Sequence, residues 1–135
     1  MVERLVMATR IACTAITTPH LTNLQASVDQ AGDIPAGFPW DRKAAAHAEI
    51  FNVLADAATD PWAARTLNLG VGLAHDLMMA VGRVADGMAL NSRRRMLGHL
   101  RAGDAEAAAL EMERHLRVLA FMCRLARLPA RRASA

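Results

Sequence analysis

The sequence predicts an all-α protein, an antiparallel bundle of about six helices. Three observations carry this fold class. The chain is rich in Ala, Leu, Met and Arg, with no Tyr and few β-branched runs, a composition that favours helix almost throughout. Capping residues stand directly before proline at Thr17-Thr18-Pro19 and Thr59-Asp60-Pro61, where an oxygen can cap a helix and proline suits its first turn. Only one connection is long, Ala31 to Trp40 with two Gly and two Pro; short links force successive helices to turn back on each other.

In chain order, residues 3–16 read as a first helix and Pro19 to about Gln30 as a second. Asp41 reads as the N-cap of a third helix, to about Ala58. The fourth starts behind Asp60 and is long, to about Asp86. Asn91-Ser92 reads as the cap of a short fifth helix that stops at Gly103, a residue suited to the left-handed closing position. Asp104 caps a sixth, which runs to Leu128 before Pro129. Residues 1–128 are thus expected as one domain and 129–135 as a basic, disordered tail.

At 135 residues and 53% hydrophobic, the chain is long enough for one domain with a core and short for two. Its formal charge of +3 suggests an acidic partner until the charge is located. Arg124, Arg127, Arg131 and Arg132 all fall in the last twelve residues, leaving 12 basic against 13 acidic residues in the rest. Arg10, Asp76 and Arg83 interrupt the most apolar segments, so no run reaches the ~18 apolar residues of a membrane span. The N-terminus does not read as a secretory signal, and Cys13 and Cys123 sit apart among apolar neighbours. Such cysteines suit reduced core thiols, which points to a cytoplasmic protein.

Residues at i, i+3, i+4 and i+7 share one side of a helix, and by that rule three ionisable side chains face inward. His47 shares its face with Ile50, Phe51 and Leu54; Arg93 with Met96, Leu97 and Leu100; His115 with Met112, Leu119 and Met122. A buried guanidinium keeps its charge and costs several kcal/mol unless paired, so an inward Arg93 calls for a protein carboxylate or a bound anion. The alternatives are plain ones: core histidines that merely hydrogen-bond, and an Arg93 that snorkels to solvent.

Other residues point less clearly to chemistry. His75 and Asp76 are adjacent and therefore about 100° apart on their helix, a poor arrangement for joint action. His20 and His99 lie in polar surroundings and read as surface residues. Arg93-Arg94-Arg95 lacks the interleaved aromatics of a base-stacking surface. The fourth helix, with Leu77, Met78, Met79 and Val81, is apolar nearly all round and is expected at the centre or at a subunit interface. There is no C-x-x-C, H-E-x-x-H or Gly-rich phosphate loop.

The segment Asn91-Ser-Arg-Arg-Arg-Met-Leu-Gly-His-Leu-Arg-Ala-Gly-Asp-Ala-Glu-Ala-Ala-Ala-Leu-Glu-Met-Glu-Arg-His-Leu resembles the last two helices of the effector-binding (FCD) domain of GntR-type transcription regulators. Ala46-His-Ala-Glu-Ile-Phe-Asn-Val-Leu-Ala-Asp-Ala-Ala-Thr-Asp-Pro is similar to that family's third-helix segment. The resemblance implies a helical bundle with a central ligand cavity for a small carboxylate or acyl metabolite. It also implies a separate winged helix-turn-helix domain whose DNA affinity responds to the effector. A homodimer is expected on other grounds, since homodimers are the commonest oligomers and the apolar fourth helix offers surface. Many members hold a divalent metal with one Asp and three His. On this chain those positions fall on His47, Phe51, Arg93 and His115 respectively, which implies a dismantled metal site in which His47 and His115 are weak remaining candidates.

The expectation is therefore a sensor of a small carboxylate, neither an enzyme nor a cofactor protein, with His47, Phe51, Arg93 and His115 lining its ligand site. DNA contact is expected only through a domain outside these residues. Two alternatives remain: a helical dimerisation or structural module without ligand, and a metal-dependent bundle enzyme. The last is disfavoured because Glu111 and Glu113 have no histidine three residues on.

Overall fold

The computed structural model describes residues 1–35 and 37–134, with side chains through Ala126. Ala36, Ala135 and the side chains from 127 onward lie outside the described residues. Where the sequence predicts a helix end at Leu128 and a disordered tail, the backbone of the last helix continues through 129–134. The architecture is all-helical: α1 (Val2–Cys13), α2 (Thr18–Asp33), α3 (Trp40–Ala57), α4 (Pro61–Val81), α5 (Asp86–Arg101) and α6 (Ala105–Ser134). Successive helices that pack on each other, α3 on α4 and α5 on α6, have short links between them and run antiparallel, and α2 packs on α3 across the longer link 34–39. No described helix is long and apolar enough to cross a membrane.

Several ends form as the local chemistry dictates. Asp60 accepts from the Ala63 amide at 2.9 Å, with Pro61 opening α4. Asp104 accepts from the Ala107 amide at 3.0 Å at the start of α6. Gly103 closes α5 with φ of 70°, where a side chain would be strained. His20 Nδ1 accepts from the Thr17 amide at 3.1 Å, completing a capping box at α2, so this histidine serves the fold.

The main difference from the sequence reading lies between α4 and α5. The fourth helix stops at Val81 instead of Asp86, because Gly82 takes φ of 87° just past the last helical residue. A 3₁₀ turn, Arg83–Ala85, follows, and α5 begins at Asp86, so Asn91-Ser92 lies inside α5 instead of capping it. At α3, Pro39 holds the cap position and Asp41 sits in the first turn.

The core gathers Leu5, Ala8 and Ala12 of α1, Ile50, Phe51 and Leu54 of α3, Leu67 of α4, Met96 of α5, and Met112 and Leu116 of α6. Each large apolar side chain so buried contributes about 1.5–3 kcal/mol. A Cβ built on Gly70 would meet Leu5 Cδ2 at 2.6 Å and Phe51 Cδ1 at 2.8 Å. The glycine thereby lets α4 lie close against α1 and α3. A smaller cluster of Ala44, Met78, Ala85, Ala89 and Leu119 packs beside the start of α5.

Candidate functional site

The apolar faces that bury α3, α5 and α6 carry His47, Arg93 and His115 inward with them. Their exposures are 1%, 3% and 2%, so Arg93 does not snorkel. The three meet. Arg93 Nε donates to the His47 backbone carbonyl at 2.9 Å, Nη2 lies 3.3 Å from His115 Nε2, and the guanidinium carbon stands 5.9 Å over the Phe51 ring. All four residues expected at a site are therefore brought together.

Two carboxylates that the sequence reading did not place flank this centre. Asp86 accepts from Lys43 Nζ and from His47 Nε2, each at 2.7 Å. Glu111, buried on α6, accepts from Ser92 Oγ at 3.1 Å and from Arg95 Nε. Helical spacing carried the signal: Lys43 lies one turn before His47, Asp86 two turns before Arg93, and Glu111 one turn before His115. Assigning residues through Asp86 to the fourth helix hid the second of these relations.

The hydrogen bonds fix the protons. Arg93 has only donors, so His115 Nε2 accepts and its proton sits on Nδ1; Asp86 accepts, so His47 Nε2 donates. That leaves three buried polar atoms of the cluster without a partner: Arg93 Nη1 and His115 Nδ1, both donors, and His47 Nδ1. An unsatisfied buried group of this kind costs ~1–3 kcal/mol.

Charge is equally uneven. Asp86 and Glu111 are each already held by another cation, so three cations (Lys43, Arg93 and Arg95) face two carboxylates. Burial pulls the Arg93 guanidinium down to about 10, against the field of Glu111. His115 is driven well below the ordinary imidazole range by burial and then by the neighbouring Arg93 charge. Burial also lowers His47, and the Asp86 hydrogen bond only partly offsets it. Burial works to raise Asp86, but the bonds from Lys43 and His47 prevail and hold it below its usual value.

In place of an open cavity at the bundle centre, the Arg93 side chain fills the space between α3 and α6. Open volume lies at the two ends of the cluster. A recess of about 60 Å³ is lined by His115, Ser92, Arg95, Glu111 and neighbours, and a second of about 200 Å³ by Trp40, Lys43, Arg83 and Asp86. A larger groove, about 630 Å³, lies apart between α2 and α3.

The donor set does not suit a metal ion. Arg93 stands at hydrogen-bonding distance from His115 Nε2, Asp86 takes His47 Nε2, and Phe51 has no ligating atom. Among the described residues, no group of three or more His, Cys, Asp and Glu is placed to hold one. His75 is half-buried and Asp76 exposed on α4, away from this cluster; His99 is half-buried near the end of α5. Cys13 and Cys123 are unpaired, and burial pushes the Cys13 thiol up to about 12, so it is a poor nucleophile. Comparisons with family models, with curated proteins and with solved structures find no match.

Proposed function

We propose that this chain is a sensing domain for a small carboxylate or acyl metabolite, of the kind that GntR-type regulators carry, with Arg93 as the positive charge that holds the effector. One observation carries the reading: Arg93 is a buried guanidinium with no carboxylate of its own and with Nη1 unsatisfied, beside a histidine whose Nδ1–H is also unsatisfied. A carboxylate supplies a negative charge and several lone pairs, which is what both donors lack. Phe51 covers the guanidinium face, and His47 holds Arg93 through its carbonyl.

The 60 Å³ recess, lined by His115, Ser92, Arg95 and Glu111, is of a size for formate or acetate and adjoins Arg93 through His115, to which the guanidinium is bonded. The domain works without a metal or catalytic step, as a cytoplasmic homodimer, and reaches DNA only through a winged helix-turn-helix domain outside these residues. Titration calorimetry with formate, acetate and propionate tests the site. At least one binds the wild type, and Arg93→Met lowers that affinity tenfold or more, about 1.4 kcal/mol. Unchanged affinity in Arg93→Met overturns the assignment.

The second reading is a structural module with no ligand. It is favoured by one feature, the filling of the bundle centre by Arg93 itself. On that reading no carboxylate produces binding heat.

A further inference from the structure

The outer face of α4 is neither core nor ordinary polar surface. Trp62, Leu69 and Met79 are 38%, 66% and 43% exposed, and Arg65, Gly72 and Asp76 lie exposed between them. Along the helix these six are separated alternately by three and four residues, the spacing of a seam between two paired helices. The other sides of α4 are covered by α1, α3 and α6.

The seam is self-complementary. About a twofold axis between Gly70 and Val71, an antiparallel copy of α4 sets Trp62 opposite the partner's Met79, Arg65 opposite the partner's Asp76, and Leu69 opposite the partner's Gly72. Each large apolar residue meets a flexible or small one, and opposite charges meet twice. Neither Arg65 nor Asp76 has an ion-pair or hydrogen-bond partner within the chain among the described residues.

Gly72 is a separate observation. A glycine inside a helix is destabilising relative to alanine, and a Cβ built here meets nothing within 4 Å. The isolated chain thus gives no packing reason for it, in contrast to Gly70 on the opposite side. A second helix lying close to the backbone supplies that reason, because the missing side chain makes room for the partner's Leu69.

From these observations we infer that a second copy of this chain docks on α4, antiparallel, with Arg65 and Asp76 exchanged across the twofold axis. An isologous pairing of this kind is the commonest form of oligomer. The inference rests on the homodimer reading above and adds its face and register.

Sedimentation velocity on the full chain tests it, using the wild type, Arg65→Asp, Asp76→Arg and the double exchange. The wild type sediments as a dimer at micromolar concentration. Each single reversal creates two like-charge pairs and raises the dimer Kd at least about tenfold, while the double exchange recovers the dimer. Circular dichroism shows the same helix content in all four, since both positions are exposed. A dimer indifferent to the single reversals, or one that the double exchange does not recover, overturns this register and leaves the homodimer standing. A monomeric wild type removes both and leaves the face to another partner.

Discussion

The two ends of the inward polar cluster and its middle follow opposite rules. At one end Asp86 takes donors from Lys43 and His47, and at the other Glu111 takes them from Ser92 and Arg95. Each buried or half-buried carboxylate is saturated by the fold. Between them Arg93 bonds a helix carbonyl and a neutral histidine, with no acid in contact. A charge placed in the interior on these terms is unfavourable, since a neutral dipole replaces hydration poorly. The contrast locates the unsatisfied groups: both carboxylates at the ends are held by the fold, whereas Arg93 Nη1 and His115 Nδ1 in the middle have no partner.

The largest effect comes from breaking an end. Glu111→Gln removes the carboxylate that holds Ser92 and Arg95 and whose field supports Arg93, and destabilises the protein by about 3 kcal/mol in urea unfolding. Arg95, 40% exposed at its side chain, rehydrates and limits the loss. A change within 0.5 kcal/mol, the range of an indifferent surface site, contradicts the saturated-end description.

A smaller effect reports on the middle through pH. His115 and His47 are neutral in the fold and lowered from 6.5, so below 6.5 the unfolded chain binds protons that the native state refuses. Stability therefore stands in full above the unfolded value and falls as pH drops through and below it. His115→Gln keeps an acceptor for Arg93 but does not titrate, and it flattens this decline. Parallel stability profiles for the wild type and the variant would count against a buried neutral His115.

Helix number and the inward faces were legible in the sequence, because periodicity at Ile50, Phe51 and Leu54, at Met96, Leu97 and Leu100, and at Met112 and Leu119 is a local property. The same periodicity placed His47, Arg93 and His115 in the interior. The break at Gly82 was not legible, since glycine in an apolar stretch is compatible with continuing helix, and its φ of 87° is a tertiary outcome. Missing that break hid Asp86. Glu111 escaped for another reason: a glutamate beside Arg114 and Glu113 reads as solvent-facing, and only the packing of α5 on α6 buries it. Which cation takes which carboxylate depends on these cross-helix distances, so the surplus charge on Arg93 became visible only in three dimensions.

Thermal unfolding of the wild type and Arg93→Met, each with and without acetate, tests the surplus charge most directly. Without the anion, Arg93→Met is the more stable protein, by about 1 kcal/mol, because it removes an uncompensated buried cation. Acetate raises the Tm of the wild type by mass action and leaves the variant unmoved, so the gap closes or reverses. A variant less stable than the wild type in both buffers, with neither protein shifted by acetate, would contradict the account.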